Sequence, residues 1–571
     1  MRLLPDVKDF INAVLRCKKS KSLSCAKRFY DMACFHGLDF QCCVGNHVLQ
    51  MLCECGYLNF AEQILRRLDF QNAQSWTSLI SSCVECGLST HAFDLYQCMK
   101  QAGVHPSKYT FMALLKACAS SKDIERGTEV HSDIMQYAKE RDIFIDNALI
   151  DMYMKCALVT KAKEIFDQLS MRDVVSWTAL IGGYAELGGG EKALECFKAM
   201  KEDGILPNDH TFVCVLKACG SIRAIAKGRE IRREIMRRGL QGNTILGNSL
   251  LDMYMKCGAF SEALEVFHKL GSRNLVSWNA IIAGYAEQGP IHQAFECFKQ
   301  MQAEGLSPDK MSWTSLIAGY AEHGPAQDAF DLFDQMQQEG ILPDAVTYAS
   351  ILKACSNTGA INKGKELHKD LVCMDYINDL FVSNNLIEMY AQGGNLLDVQ
   401  KVFNMLAVRN ICTWNSVIKA CAIHQEGRLA MHYFEGMQEQ AVKPDVVTFT
   451  CLLTACNRSQ LVAEGKKYLL MMRDQYGITP VIDHYTSLID LLARLGHLNE
   501  AEKLLEAVPM SMHDEGMWAA LLTACKTHGE LDVGERCFHQ LADNESESAF
   551  TQILTADICK SLRRLEDTVK A

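Results

Sequence analysis

The tryptophans of this chain of 571 residues recur at regular intervals. Their successive spacings are 101, 101, 35, 101 and 104 residues, at Trp76, Trp177, Trp278, Trp313, Trp414 and Trp518. Six prolines have almost the same spacings of 101, 101, 35, 101 and 36, at Pro106, Pro207, Pro308, Pro343, Pro444 and Pro480. Because two unrelated residue types share one period, the chain consists of internal repeats, and this constrains the fold before any local pattern does.

The period of 101 residues divides into repeats of 35, 35 and 31 residues. We name each repeat by its first residue, which lies four positions before a site that is usually Thr or Asn. The predicted array covers residues 7–546, with repeats that begin at 7, 42, 73, 108, 143, 174, 209, 244, 275, 310, 345, 380, 411, 446, 482 and 515. The short repeats share the motif Asn-x-Leu-x-x-Met-Tyr, as at 147–153 and 248–254.

Each repeat has the pattern of two helices. In repeat 174 one helical face carries apolar residues at the spacing i, i+3, i+4, i+7, namely Trp177, Leu180, Ile181 and Tyr184. Three glycines at 188–190 interrupt this helix. A second apolar stripe follows at Ala193, Leu194, Phe197 and Met200, and Pro207 then ends the repeat.

A single helix pair cannot bury its apolar face, so neighbouring repeats must stack. We therefore predict an all-α fold, a right-handed α-solenoid superhelix of helix–turn–helix repeats of 31–36 residues. The tryptophans are predicted to be core residues of the first helices. The recurrent cysteines of the Leu-Lys-Ala-Cys motif, such as Cys118 and Cys219, are predicted to be small packing residues.

Composition narrows the function classes. Apolar residues make up 49% of the chain and charged residues 22%, which is typical of a folded protein. The formal net charge of -11 argues against a non-specific nucleic-acid binder, although a local basic stripe stays possible. No apolar run approaches the length of a membrane span, so no membrane partner is expected.

The residues of one repeat identify a family. The stretch Ser-Trp-Asn-Ala-Ile-Ile from Ser277, the stretch Ala-Phe-Glu-Cys-Phe-Lys-Gln-Met at 294–301 and Gly-Leu-Ser-Pro-Asp at 305–309 resemble a pentatricopeptide repeat. The alternation of long and short repeats resembles the PLS subclass of this family, which is typical of land-plant organelles. The resemblance extends from residue 7 to about 546, and residues 547–571 resemble a truncated E-type extension.

The resemblance implies that each repeat faces one base of single-stranded RNA and recognises it through its fifth and last residues. The residue types suit this role, because Thr offers a hydroxyl, Asn a donor and an acceptor, and Asp acceptors only. The residues alone leave a second interpretation open, in which the fifth residue is a helix N-cap.

Four pairs match the family pattern well, and they predict a core target A-n-n-U-G-n-n-U for repeats 174 to 411. They are Thr178 with Asn208 for adenine, Asn279 with Asp309 for uracil, Thr314 with Asp344 for guanine, and Asn415 with Asp445 for uracil. Weaker candidates are Thr77 with Ser107, Met112 with Asp142, Asn147 with Asp173, Asn248 with Asn274, and Asn384 with Asn410. The pairs Val213/Asn243 and Ala349/Asp379 depart from the pattern.

Lysines recur at fixed positions of the first helices, at Lys116, Lys217, Lys353 and Lys419, and at Lys155 and Lys256. Contact with RNA phosphates and ordinary solvation both explain them. The basic run at 227–238 is interpreted as a solvated face of a second helix.

No catalytic motif is found. The cytidine-deaminase-like DYW domain that ends many PLS arrays needs a His-x-Glu and a Pro-Cys-x-x-Cys motif, and neither follows the last repeat. The pair Cys83 and Cys86 has no second ligand pair, so no zinc and no other cofactor is predicted. We expect no small-molecule substrate, and an editing deaminase would have to act in trans.

The predicted function is therefore a sequence-specific RNA-binding adaptor for transcripts of the mitochondrion or chloroplast, guiding C-to-U editing or other RNA processing. Residues 4–6 resemble the end of an earlier repeat, which suggests a truncated N-terminus without a transit peptide. The alternatives are a protein-binding helical-repeat scaffold and an inactive truncated product.

Overall fold

The structure is a computed structural model that describes residues 7–20, 23–38, 40, 42–68, 71–137, 142–508, 515–530, 532–534 and 536–537. The described residues form helices and the turns between them, without any strand. The predicted all-α fold of helix–turn–helix repeats is thereby confirmed. The suggested extension at 547–571 and the chain start at 1–6 lie outside the described residues.

Helices with odd labels are the first helices of the repeats. They are α1 (Val7–Ser20), α3 (Cys42–Glu54), α5 (Ala73–Glu85), α7 (Lys108–Ser121), α9 (Ile143–Lys155), α11 (Val174–Glu186), α13 (Asp209–Ser221), α15 (Thr244–Lys256), α17 (Leu275–Gln288), α19 (Lys310–His323), α21 (Ala345–Thr358), α23 (Leu380–Gln392), α25 (Ile411–Ile423), α27 (Val446–Arg458), α29 (Ile482–Arg494) and α31 (Glu515–His528).

Helices with even labels are the second helices. They are α2 (Leu23–Phe35), α4 (Leu58–Arg67), α6 (Ser89–Gln101), α8 (Ile124–Tyr137), α10 (Val159–Asp167), α12 (Gly190–Glu202), α14 (Ile225–Arg237), α16 (Phe260–Lys269), α18 (Ile291–Ala303), α20 (Ala326–Gln338), α22 (Ile361–Cys373), α24 (Leu396–Met405), α26 (Gly427–Glu439), α28 (Val462–Asp474) and α30 (Leu498–Ala507). A short 3-10 helix at Tyr376–Asn378 follows α22.

The chain divides into two compact halves, residues 1–281 and residues 282–571. Within each half the first helices pack side by side, as α11 does on α9 and α13, and α25 on α23 and α27. Each second helix packs on the first helix of its own repeat and on that of the next, as α12 does on α11 and α13. A repeat therefore buries its apolar residues only together with its neighbours.

The tryptophans lie in the core, as predicted. All six are at most 6% exposed. Trp177 packs edge-to-face on Phe166 with ring centroids 4.6 Å apart, and Trp414 packs in the same way on Phe403 at 4.9 Å. Each of these phenylalanines belongs to the second helix of the preceding repeat, so the aromatic pairs join one repeat to the next.

Methionines of the short repeats pack against glycines of the second helix before them. A Cβ added at Gly228 would lie 2.5 Å from both Sδ and Cε of Met253. Gly127 has the same relation to Met152, and Gly364 to Met389. Because the methionine side chain occupies the space that a Cβ would need, these glycines are packing residues.

Candidate nucleic-acid interface

The two positions predicted to recognise a base meet where one repeat joins the next. The last residue of a repeat is the N-cap of the following first helix. The Oδ1 atom of Asn208 accepts hydrogen bonds from the backbone N–H of Thr211 at 2.9 Å and from its hydroxyl at 2.9 Å. The fifth residue, such as Thr178, lies instead inside the first helix α11, whose N-cap is Asp173. The interpretation of the fifth residue as an N-cap is therefore wrong, because the preceding residue already provides the cap.

A hydroxyl in the third position of the following helix connects the fifth and last residues. The Oγ1 atoms of Thr178 and Thr211 are 2.8 Å apart, and Thr178 also donates to the backbone oxygen of Val174 at 2.6 Å. In repeat 310 the Oγ1 atoms of Thr314 and Thr347 are 2.7 Å apart, and Thr347 donates to Oδ1 of Asp344 at 2.8 Å. The structure thus brings both predicted pairs, Thr178/Asn208 and Thr314/Asp344, into one hydrogen-bond network each.

The pair Asn415 and Asp445 is in direct contact. Nδ2 of Asn415 donates to Oδ1 of Asp445 at 3.1 Å. The hydroxyl of Thr448 lies 2.7 Å from Oδ1 of Asn415 and 2.8 Å from Oδ1 of Asp445. Asn415 is 8% exposed, so its amide is held by these contacts. For the remaining strong pair, Asn279 lies on α17, and Asp309 caps α19 by accepting from the Ser312 backbone N–H at 2.9 Å.

Three of the weaker pairs belong to the short repeats. Nδ2 of Asn147 donates to Oδ1 of Asp173 at 3.2 Å, and Nδ2 of Asn248 is 3.5 Å from Oδ1 of Asn274. Asn384 makes no hydrogen bond with Asn410 among the described residues, and Oδ1 of Asn410 caps α25. Burial opposes ionisation of Asp173, but hydrogen bonds from the Ser176 N–H and hydroxyl and from Asn147 lower the pKa of its carboxyl below the usual value.

Repeats with an apolar fifth residue lack this network. Where Met112 is the fifth residue, the last residue Asp142 accepts from the Phe144 backbone N–H at 2.9 Å and forms an ion pair with Lys108 at 3.2 Å. The backbone bond to Phe144, with the Lys108 contacts, lowers the pKa of Asp142, although burial opposes this. Val213 and Ala349 likewise precede caps that bond to the second backbone N–H of the next helix. In these repeats the fifth and last residues therefore do not form a pair of polar side chains.

The pair Thr77 and Ser107 lines an open depression of about 640 Å³. Their hydroxyl oxygens are 3.3 Å apart, and Thr110 lies 2.7 Å from Thr77. Gln74 and Tyr109, the second residues of two successive first helices, line the same depression. The fifth, last and second positions therefore surround one volume at this junction.

The second position of the first helices carries exposed apolar side chains, which the sequence analysis did not single out. Their exposed fractions lie between 49% and 64% at Tyr109, Phe144, Val175, Ile245, Val276, Met311, Val346, Phe381 and Val447. Large apolar side chains exposed at one register of successive helices indicate an interaction surface. The sequence does carry a signal for these residues, because an apolar residue recurs at the second position of the first helices with the period of the repeat.

Lysines at the ninth position of first helices pair with acidic residues of the preceding first helix. Nζ of Lys217 is 3.3 Å from Glu186, and Nζ of Lys419 is 2.6 Å from Glu388. Lys353 forms the same ion pair with Glu322, and this hydrogen bond lowers the pKa of Glu322. Lys155 and Lys256 pair with aspartates of their own helices, each at 2.9 Å. Each pair is partly exposed, so a phosphate can compete for the lysine.

The basic run at 227–238 connects neighbouring second helices. Arg229 forms an ion pair with Glu262, and Arg232 pairs with Glu265 at 3.0 Å. Glu234 pairs with Lys201 of the preceding second helix. The interpretation as a solvated face is therefore incomplete, because these charges join successive repeats.

The cysteines of the recurrent motif are buried, as predicted. Burial raises the pKa of Cys118 and of Cys219 to about 12. Cys83 is buried with a pKa raised to about 11, whereas Cys86 at the C-cap of α5 is exposed. Among the described residues there is no group of three or more His, Cys, Asp or Glu that could hold a metal ion. In the same part of the chain, no helix has the length and apolar character needed to span a membrane.

Family models match the chain at the repeats. The model described as the PPR repeat family matches residues 71–120, 172–221, 273–321, 308–357 and 409–458, and the model described as PPR repeat matches 147–174, 248–275 and 483–509. Together these matches cover more than half of the chain.

Three curated relatives are pentatricopeptide repeat-containing proteins of Arabidopsis thaliana. One is 30% identical over 96% of this chain and 52% of its own length. Another, named chloroplastic, is 28% identical over 98% of this chain and 64% of its own length. A third, named mitochondrial, is 28% identical over 93% of this chain and 78% of its own length. The chain thus spans about half of the first relative and less than two thirds of the second.

Two solved structures share the fold. The crystal structure of the pentatricopeptide repeat protein PPR10 from maize has a TM-score of 0.55 and 18% identity, over 97% of this chain and 87% of that one. The crystal structure of PPR10 in complex with an 18-nt psaJ RNA element has a TM-score of 0.55 and 16% identity, over 99% of this chain and 93% of that one.

Proposed function

The chain belongs to the pentatricopeptide repeat family, and on that premise we propose that it is a sequence-specific adaptor for single-stranded RNA. Repeats with a polar fifth residue each recognise one base through the fifth and last side chains. A solved relative of the same fold holds RNA, which supports this class of ligand. The residues that carry the proposal are the pairs at the repeat junctions.

The observation that carries it is the side-chain atom that the N-caps Asn208 and Asp344 leave free in the described part of the chain. Capping engages Oδ1 of Asn208, so its Nδ2 donor has no partner among the described residues. Capping likewise engages Oδ1 of Asp344, so the Oδ2 acceptor of this carboxylate is the free atom in the described part of the chain. The same position therefore presents a donor in repeat 174 and an acceptor in repeat 310.

This difference suits two different purines. Adenine has an acceptor at N1 and guanine a donor, so Asn208 complements adenine and Asp344 complements guanine. A carboxylate facing N1 of adenine, or an amide donor facing N1–H of guanine, would leave polar groups unpaired, which costs binding energy. Thr178 and Thr314 supply the hydroxyl partner in each pair.

The pair Asn415 and Asp445 suits uracil. The free Oδ2 atom of Asp445 can accept the N3–H of uracil, and the second proton on Nδ2 of Asn415 can bond to a uracil carbonyl. Cytosine has an acceptor at N3, which would face the carboxylate. Because two acceptors would then face each other without a proton, the pair should bind uracil more tightly than cytosine.

The exposed apolar residues of the second position provide faces on which bases stack. Val175 and Val346 are 52% and 49% exposed, and they are the second residues of α11, which carries Thr178, and of α21, which Asp344 caps. Stacking of bases on apolar side chains tolerates any base, so it adds affinity, while the polar pairs add selectivity.

The proposed core target is A-n-n-U-G-n-n-U, with the N-terminal repeats at the 5′ end. Repeat 174 recognises the first base, repeat 310 the fifth and repeat 411 the eighth. Asn279 and Asp309 belong to repeat 275, which is the fourth of these eight repeats, so this pair is assigned to the fourth base. The transcripts proposed are those of the mitochondrion or chloroplast, and relatives named for each organelle support this.

Within RNA metabolism, we assign the chain to the PLS subclass and to C-to-U editing or other RNA processing. It contributes binding only, and a deaminase or another processing factor acts in trans. The alternation of repeats of 35, 31 and 35 residues supports the subclass.

The test exchanges Asn and Asp at the last position, because both residues cap a helix and only the outward atom differs. Asn208→Asp should change the preferred first base from adenine to guanine. The ratio of the two affinities, measured by fluorescence anisotropy, should shift by about tenfold or more, the value of one discriminating pair of hydrogen bonds. Asp344→Asn should make the opposite change at the fifth base.

The matched control is Asp379→Asn, where the fifth residue is Ala349 and no change of base preference is expected. Equal binding of the target and of a permuted RNA by the unmodified protein would contradict the proposal. That outcome would favour a protein-binding scaffold or an inactive product.

A further inference from the structure

A hydroxyl occupies the third position of the following helix at each junction where the fifth residue is polar, up to repeat 411. These third-position residues are Ser75, Thr110, Ser176, Thr211, Ser277, Ser312, Thr347, Thr413 and Thr448. All nine are at most 2% exposed. A buried hydroxyl needs partners, and the last residue of the preceding repeat provides one, as Asn208 does for Thr211 and Asp445 for Thr448.

Helix capping alone does not require this hydroxyl. Where the fifth residue is Met112, Val213 or Ala349, the third residue of the next helix is Ile145, Leu246 or Val382. The N-caps Asp142, Asn243 and Asp379 at those junctions still bond to backbone N–H groups. The hydroxyl therefore accompanies a polar fifth residue rather than a capped helix.

The Thr448 hydroxyl lies within hydrogen-bond distance of both members of its pair, at 2.7 Å from Oδ1 of Asn415 and 2.8 Å from Oδ1 of Asp445. The Oγ1 atom of Thr448 also accepts from the Asp445 backbone N–H at 3.1 Å. The carbonyl end of the amide is thus held toward Thr448, and the Nδ2 end toward Asp445. If the amide turned over, its Oδ1 would face the carboxylate, which is unfavourable.

The hydroxyl also determines what a Thr in the fifth position presents. Thr178 directs its own proton to the Val174 carbonyl at 2.6 Å, and its oxygen lies 2.8 Å from the Thr211 hydroxyl, whose single proton it shares with Oδ1 of Asn208 at 2.9 Å. The lone pair that remains is available to a ligand, and Thr178 acts as an acceptor. Without Thr211, the Thr178 oxygen would lose the donor that holds this arrangement.

We propose that the third-position hydroxyl of the following helix is a positioning residue for base selectivity, so that three side chains, rather than two, determine each recognised base. The inference rests on the proposed function that the pairs recognise bases. It assigns Thr211 to the first base of the core target, Thr347 to the fifth and Thr448 to the eighth.

The test replaces this hydroxyl with a methyl group of similar volume. Thr448→Val should lower the preference for uracil over cytosine at the eighth base about five-fold, the value of one hydrogen bond, and leave the preference at the fifth base unchanged. Thr347→Val should do the reverse, and Thr448→Ser should retain the uracil preference. The control on the same helix is Thr454→Val, since Thr454 donates only to the Thr450 carbonyl at 2.7 Å.

The outcomes separate the inference from the function on which it rests. If the unmodified protein distinguishes no base, the proposed function fails. If it does distinguish bases and both folded valine variants keep every preference, the inference is overturned. It is overturned as well if the valine variants fail to fold while Thr448→Ser folds, because the hydroxyl would then serve the fold alone.

Discussion

The lysines at the ninth position of the first helices should determine the salt dependence of RNA binding. Lys217, Lys353 and Lys419 lie on α13, α21 and α25, and their side chains are 51%, 48% and 50% exposed. Each is paired with a glutamate that is itself nearly half exposed. Ion pairs of this exposure contribute at most about 1 kcal/mol, so RNA phosphates can replace the glutamates.

We predict that the triple variant Lys217→Gln, Lys353→Gln, Lys419→Gln binds the target RNA with a flatter salt dependence. Each phosphate contact on single-stranded RNA contributes about 0.7 to the slope of log affinity against log salt, so three lost contacts lower it by about 2. Between 50 and 200 mM salt the unmodified protein should then lose about 20-fold more affinity than the variant. Fluorescence anisotropy over a salt series measures both slopes.

The matched control is the triple variant Lys201→Gln, Arg229→Gln, Arg232→Gln on the second helices. Those residues also form ion pairs between repeats, but their helices lie outside the layer that carries the base-recognising pairs. An equal loss of slope in both variants, or no loss in the first, would refute the assignment of the ninth-position lysines to phosphate contact. The base preference of either variant should be that of the unmodified protein.

Three further predictions concern the fold. Gly228→Val should lower the thermal midpoint and destabilise by roughly 1–3 kcal/mol because its side chain overlaps Met253, and Met253→Ala should reverse most of this in circular dichroism melts. Trp414→Phe should lower the free energy of unfolding by less than about 1.5 kcal/mol, because Nε1 of Trp414 is buried without a hydrogen-bond partner among the described residues. Truncation of a buried Trp to Ala lowers it by about 3–5 kcal/mol. Asp173→Asn should reduce stability at neutral pH, because the lowered pKa of Asp173 stabilises the fold above its unfolded value of about 3.9. This difference should disappear as the pH falls through the folded value. Melts of both proteins from pH 7 to pH 2 check this, and a constant difference would contradict it.

The helices could be predicted from the sequence because the repeat multiplies every local signal. One turn of Trp177, Leu180 and Ile181 is weak evidence for a helix, but the same turn in register across the array is strong evidence. Burial of Cys118 and Cys219 followed for the same reason, since a small residue at a fixed position of a helix is a packing choice.

The roles of residues at the start of the helix could not be assigned in the same way. Thr178 and Asp173 are both good N-cap residues, and the spacing alone does not say which of them lies before the first turn. The Thr211 hydroxyl was hidden for a different reason. Thr211 contacts Thr178, 33 positions earlier, and the sequence pattern of a single repeat does not indicate a contact between repeats.

The ion pairs of the basic run show the same limit. The sequence pattern of a single helix separates a charged side from an apolar side, and it therefore predicts that Arg229 and Arg232 lie on a solvated face. Their partners Glu262 and Glu265 stand on the next second helix, 33 residues on. Only stacking of repeats brings these charges together.

The contacts between methionine and glycine restrict how such a chain can change by duplication. A first helix with Met253 at its tenth position can follow only a second helix with the space of Gly228, so the two repeats must be copied together. A helix with Gly319 at that position makes no such demand, because its backbone leaves room for Ala286 and Ile291 of the preceding repeat. The smallest segment that keeps this contact is the pair of repeats 209 and 244, whereas insertion or deletion of repeat 310 breaks no such contact, in keeping with the interval of 35 between Trp278 and Trp313.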